Sequence, residues 1–177
     1  KILEPCCGKG NFVLAIFDKL YDGLTNVEDE VERCRIIIEE CIYFADIEPI
    51  NIFITKELLS CHAISKLSEK SWNDWDVVIK IYDFKYNTYT GDTLELDIKK
   101  EWCIDYIDAS ICNPPYNKGK NANFYVKFID HTYNCLADNG LALFIIPNRF
   151  LIPLHAANKS IKKFNIDFIC HTSNAFD

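Results

Sequence analysis

The parts of this sequence that could do chemistry are an Asn-Pro-Pro-Tyr run at residues 113–116 and three carboxylates, Glu4, Asp46 and Asp92. The run follows directly on the apolar stretch 109–112. Two consecutive prolines, Pro114 and Pro115, fix φ and remove two N–H donors, so the carbonyls there point outward and are not consumed by a helix. The amide oxygen of Asn113 and the carbonyl of Pro114 can together accept both hydrogens of an amino group. Tyr116 adds a ring face on which a planar base can stack.

The carboxylates point to a second ligand. Residues 2–12 read ILEPCCGKGNF, a strand, a glycine turn and a helix start. Gly8 and Gly10 let the backbone turn tightly and approach a ligand closely. At the C-terminal edge of a parallel sheet, such a turn is where nucleotide-like ligands bind. A plain strand-to-helix turn has the same glycines, but Glu4 sharpens the reading. A carboxylate pairs with a cationic ammonium and repels a phosphate. Glu4 therefore favours the zwitterionic tail of S-adenosylmethionine over a pyrophosphate. Asp46 ends a second apolar stretch, where a carboxylate can accept both ribose hydroxyls. Glu48 competes for that role. After Gly91, Asp92 can accept a hydrogen bond from an adenine amino group.

These residues need elements to carry them. Short apolar runs alternate with longer amphipathic ones, which predicts an α/β fold with a mostly parallel sheet and flanking helices. Strands are expected at residues 1–4, 42–46, 88–90, 109–112, 141–146 and 166–170, with 141–146 central. Residues 77–82 offer an alternative strand in a stretch of poor signal. Helices are expected at 11–20, from Pro49 onward, at 123–136, where Phe124, Phe128, Ile129 and Tyr133 share one face, and at 154–164. Residues 22–32 read as an acidic loop passing into a helix, and Asp138-Asn139-Gly140 as a turn. A chain of 177 residues supports one core.

Composition limits the partners. No apolar run approaches the roughly 18 residues that span a bilayer, and no export leader is visible. Nine cysteines, without zinc spacing, read as reduced thiols in a cytoplasmic, cytosol-like compartment. The net charge of −7 is awkward for a protein that grips DNA by itself. The modest basic groups are Lys118 with Lys120, and Lys159 with Lys162 and Lys163. Another segment or subunit is therefore expected to supply the DNA grip, or the partner is not DNA. The start at Lys1 and the absence of Met point to a piece of a longer protein.

In order along the chain, EPCCGKGNF, ADIEP, GDTL and NPPY resemble the motifs of gamma-type amino-methyltransferases of DNA restriction–modification systems. The similarity spans nearly all of the chain. The resemblance implies a Rossmann-like, S-adenosylmethionine-dependent methyltransferase fold. It also implies methylation of the N6 amino group of a flipped adenine in DNA. On that resemblance Glu4 holds the cofactor's amino group, Asp46 its ribose, Ile47 its adenine ring and Asp92 the adenine amino group. Cys6, Gly8, Gly10, Phe12 and Thr93 complete that set, with Asn11 matching the signature beside Phe12. Asn113, Pro114, Pro115 and Tyr116 form the catalytic loop, and Tyr116 and Phe124 line the base pocket. The resemblance makes residues 1–177 the catalytic domain, lacking an N-terminal helix, C-terminal strands and a target-recognition domain. N4 of cytosine, a protein glutamine or an rRNA guanine remain open as acceptors, as does an inactive scaffold of the same fold.

Overall fold

The computed structural model describes residues 1–117 and 123–171. Lys118 and Lys120, one of the two modest basic groups, lie outside them. Among the described residues, five strands form one parallel sheet: β1 (Ile2–Glu4), β2 (Ile42–Asp46), β3 (Asn87–Thr90), β4 (Ile107–Cys112) and β5 (Leu136–Phe144). Their order is β3-β2-β1-β4-β5, with Ile2 opposite Ile42 on one side and Ala109 on the other. The order reverses between β1 and β4, and that switch point opens a crevice at the C-terminal strand ends.

Both faces of the sheet are covered. β2 is buried throughout, as a central parallel strand must be. Its Ile42 and Phe44 pack with α1 (Asn11–Gly23), α2 (Glu30–Ile36), α3 (Pro49–Ser65) and α5 (Trp75–Tyr82), while α4 is the short Glu69–Trp72. Tyr43 and Ala45 face the other way, toward α6 (Ile98–Trp102) and the end of α7 (Tyr125–Cys135). Each fully buried large side chain contributes about 1.5–3 kcal/mol. Helix α1 forms because Val13, Ile16 and Phe17 share one buried face. In α3, Pro49 sets the first turn, and Ile52, Thr55, Leu59 and Ala63 turn inward. The acidic stretch becomes a loop and then α2, where the Asp29 side chain caps the N–H of Glu32 at 2.8 Å.

Several expectations are corrected. Residues 77–82 lie in α5, not in a strand: Ile81 is buried, and Trp75, Ile79 and Tyr82 follow helical spacing on the exposed side. The stretch 141–146 is not central. Residues 141–144 belong to β5, the sheet's edge among the described residues, where Leu141 and Leu143 are 65% and 43% exposed, and the strand ends at Phe144. Asp138-Asn139-Gly140 does not separate helix from strand. The register jumps from Ile107↔Leu136 to Ala109↔Leu141, so these residues form a bulge inside β5. The last helix, α8, is the shorter Ala156–Ile161, capped by His155. Residues 166–170 form no strand, because no described strand lies beside them, and Ile166, Phe168 and Ile169 stay exposed.

Candidate active site

Four loops leave the sheet at the same edge, after β1, β2, β3 and β4. The β1 turn is held from below by β2: the Cys7 N–H donates to the Ala45 carbonyl at 2.9 Å. The Gly8 N–H donates to Asp46 Oδ2 at 2.9 Å. Gly8 and Gly10 have φ of +53° and +86°, which side chains rarely adopt. Gly10 is fixed for a second reason, since a Cβ there would meet Thr55 Cγ2 at 2.9 Å. Thr55, reaching in from α3, also donates its hydroxyl to the Gly8 carbonyl at 3.2 Å.

Asp46, only 7% exposed, serves as the hub of this half. Its Oδ1 accepts from the Glu48 N–H at 2.9 Å and from Asn51 Nδ2 at 3.0 Å. A carboxylate offers about four acceptor positions. With Gly8, Glu48 and Asn51 in place, Asp46 keeps room for about one further hydrogen bond. Glu48 and Ile47 beside it are exposed, as are Ile50 and Phe53 on the first turns of α3. Phe12 sits half-buried in the first turn of α1, and Asn11 is exposed.

Glu4 is the unusual group. It is 1% exposed, and its Oε2 has no hydrogen-bond partner. The Cys6 thiol donates toward Oε1 at 3.7 Å. Burial pushes the Glu4 carboxyl up to about 8, against a smaller opposing pull from the Cys6 N–H and thiol. A buried carboxyl with an unsatisfied oxygen suits a ligand cation better than empty surroundings.

After β3, the Gly91 N–H donates to the Asp46 carbonyl at 3.0 Å, and Asp92 Oδ1 caps the Leu94 N–H at 3.1 Å. Thr93 is buried, and its hydroxyl donates to the Pro5 carbonyl at 2.7 Å. Its place is therefore under the β1 turn, which it ties to the β3 loop.

The loop after β4 forms the crevice's other wall. Asn113 and Pro115 are exposed, Pro114 is buried and Tyr116 half-buried. The Tyr116 hydroxyl donates to Asn113 Oδ1 at 3.2 Å, and its ring meets Tyr125 edge to face at 6.4 Å. Burial raises the Tyr116 phenol. Phe124 is 7% exposed. It packs edge to face on Phe128 at 5.7 Å, and its N–H donates to the Tyr116 carbonyl at 3.1 Å. Phe124 thus backs the loop and is not an open wall. Cys6 bridges the two halves, its thiol facing the Asn113 carbonyl at 3.4 Å. Sequence reasoning passed over Thr55 and Asn51. Their signal was the polar positions on the α3 face turned toward the glycine turn.

A parallel sheet with this switch point, a carboxylate-lined glycine turn and an Asn-Pro-Pro-Tyr loop defines a Rossmann-like methyltransferase domain. Residues 40–175, more than half of the chain, match the family described as Eco57I restriction-modification methylase. The chain belongs to that family. The residue 2–12 run lies before the matched stretch.

The fold is similar to that of the M protein of the type I restriction enzyme EcoKI, with a TM-score of 0.63 at 15% identity, over 90% of this chain and 32% of that one. It is also similar to a modification subunit of a putative type I restriction enzyme from Vibrio vulnificus YJ016, with a TM-score of 0.56 at 15% identity, over 92% of this chain and 33% of that one. The chain spans about a third of the length of these structures. No curated protein matches it at a significant level. Among the described residues, no helix is long and apolar enough to cross a membrane.

Proposed function

We propose that this domain methylates DNA, transferring a methyl group from S-adenosylmethionine to the N6 amino group of a flipped adenine. The observation that carries the reading is the exposed Asn113 on its Pro-Pro-Tyr loop, set across the β1/β4 switch point from Glu4 and its unpartnered oxygen. The residues fit the cofactor. Glu4 offers its ammonium group a buried carboxyl, the positive-φ glycines let the backbone approach it, and Asp46 or Glu48 accepts from the ribose. Ile47 packs on its adenine and Asp92 accepts from the adenine amino group.

When bound, the cofactor supplies an electrophilic methyl on a sulfonium. The chain's own residues prepare the acceptor. Asn113 Oδ1 accepts from the Tyr116 hydroxyl and keeps a lone pair for one N–H of the target. The Pro114 carbonyl takes the other. Holding both hydrogens favours a pyramidal nitrogen and offsets the positive charge that develops on it. Tyr116 stacks on the flipped base, and alignment of nitrogen with methyl group contributes much of the remaining rate. The target nitrogen, once it has taken the methyl group, would give up one of its two held protons to solvent. DNA is held mainly by segments or a subunit beyond this chain, since the chain's net charge is −7. We place the enzyme in the cytoplasm on its nine free thiols.

The test is mass spectrometry of nucleosides from DNA and RNA, and of peptides, after incubation with methyl-labelled cofactor. Label in N6-methyladenine of DNA is expected. Label in N4-methylcytosine keeps the loop chemistry and changes the base, label only in glutamine or guanine overturns the DNA reading, and no label supports the inactive scaffold.

A further inference from the structure

Two thiols meet at the floor of the crevice, and methyl transfer uses neither as a nucleophile. Cys6 follows β1 and Cys112 ends the neighbouring strand β4, immediately before Asn113. Their sulfurs are 3.5 Å apart. The Cys6 thiol also faces Glu4 Oε1 and the Asn113 carbonyl, and in the contact between the two sulfurs either thiol can be the donor. All nine cysteines are free, and these two bring their sulfurs together. The two differ in access. Cys6 is half-buried, while Cys112 is fully buried and burial keeps its thiol protonated. Cys7, next to Cys6 in sequence, is buried, and burial pushes its thiol up to about 12. Cys6 is thus the sulfur that an oxidant reaches, and Cys112 the one placed to resolve it.

We propose that Cys6 and Cys112 form an oxidisable dithiol site, converted by hydroperoxides to a disulfide that locks the β1 turn to the Asn113 loop and switches catalysis off. In the first step the Cys6 sulfur takes the terminal oxygen of the hydroperoxide. The O–O bond breaks, the Cys6 proton leaves with the alkoxide as an alcohol, and Cys6 becomes a sulfenic acid. In the second step the Cys112 sulfur attacks the Cys6 sulfur. The S–O bond breaks and the departing hydroxide takes the Cys112 proton as water. The two thiols lose two electrons between them, and the hydroperoxide is reduced to alcohol and water.

Bond formation draws the sulfurs from 3.5 Å to about 2.0 Å. The movement is delivered to the residue before Asn113 and to the residue two after Glu4. A misplacement of about 1 Å in a reacting group costs about 10²-fold in rate. The existence of the pair stands apart from the methyl-transfer reading, whereas its effect on activity rests on that reading.

The experiment treats the intact protein with stoichiometric hydrogen peroxide and follows tryptic peptides and methyl transfer in parallel. The expected product links Ile2–Lys9 to Glu101–Lys118, with fragment ions placing the bond at Cys6 and Cys112. Activity falls about 10²-fold and returns with dithiothreitol. Cys112→Ala is expected to keep its basal activity, to form no link and to lose the dithiothreitol-reversible inhibition. Dithiothreitol reversal on the unsubstituted protein gives the same answer where that variant does not fold. A link through Cys7 or Cys103, or oxidation without any link, overturns the site. A linked protein that methylates at the full rate overturns the switch. A reduced protein that binds no cofactor and methylates nothing counts against the proposed function, while the peptide map still decides the pair.

Discussion

The two walls of the crevice are built differently. On the β1–β2–β3 side the loops are hydrogen-bonded to one another: Gly8 to Asp46, Gly91 to the Asp46 carbonyl, Thr93 to Pro5 and Thr55 to Gly8. On the β4 side Asn113 is oriented by the Tyr116 hydroxyl, and Tyr116 in turn is held by the Tyr125 ring and the Phe124 N–H. Its tie to the other wall is the Cys6 thiol at the Asn113 carbonyl. The first wall is therefore held in one arrangement by its own hydrogen bonds. The second presents an exposed amide on a loop with fewer such ties.

The largest expected effect separates the walls cleanly. Asn113→Ala removes an acceptor aimed at the developing charge, and the methyl-transfer rate should fall by roughly 10²–10³. Cofactor affinity, measured by calorimetry, should stay unchanged because no bond of the first wall involves that side chain. Tyr116→Phe should act in the same direction and more weakly, since it removes only the hydroxyl that orients Asn113. A loss of cofactor affinity in Asn113→Ala equal to the loss in rate would mean that the walls are one unit.

Much of the first wall was legible because its logic is local. A carboxylate at a strand end followed by a glycine turn is readable from order along the chain, and Glu4, Gly8, Gly10, Asp46 and Asp92 do lie at one sheet edge. What was not legible depends on burial and partners. Thr93 reads like Asp92 in sequence, yet its hydroxyl is turned inward to Pro5. Phe124 is backing, and Asp46 has most of its acceptor positions filled by its own chain. In the fold, residues 77–82 carry β-branched residues that suit a strand, but packing of Ile81 against the α1–α3 cluster makes them helical. The apolar stretch 141–146 reads as central from its composition alone. Position in a sheet is a tertiary property, and β5 lies at the edge among the described residues.

A smaller effect sharpens the first wall by pH. Burial holds the Glu4 carboxyl at about 8, so below that value the ligand-free protein carries Glu4 protonated. Pairing with an ammonium requires the ionised form, so the proton must leave. Cofactor affinity should fall about tenfold per pH unit below 8, with proton release visible in calorimetry across buffers of different ionisation enthalpy. Stability of the ligand-free protein should show the opposite slope from this group. A carboxyl raised in the folded state contributes stability that is full below about 4.5, its unfolded value, and is lost as pH rises through about 8. Asp46, Cys6, Cys7 and Cys112 are the titratable neighbours. Glu4→Gln should bind weakly and flatten both slopes. An affinity that stays level from pH 6 to 8 in the unsubstituted protein would remove Glu4 from the ammonium site.

The smallest effect asks whether the wiring of the first wall matters apart from the ligand contacts. Thr93→Val keeps the shape of the side chain but removes the donor to the Pro5 carbonyl. Pro5 and Thr93 are both buried, so the carbonyl is left without that partner, and an unsatisfied buried acceptor costs about 1–3 kcal/mol. Urea unfolding should register a loss at the lower end of that range, because the Pro5 turn can shift slightly toward solvent. Cofactor affinity should weaken by no more than about tenfold, which corresponds to ~1.4 kcal/mol. At saturating cofactor the methyl-transfer rate should match the unsubstituted protein, since Asn113 stands on the other wall. Thr93→Ser, which keeps the donor, should recover most of the stability and affinity. A Thr93→Val protein that unfolds and binds like the original would show that β1 and β2 alone hold the glycine turn. A Thr93→Val protein that binds normally but methylates slowly would carry the influence of this bond across to the second wall, and the separation of the two walls would fail there.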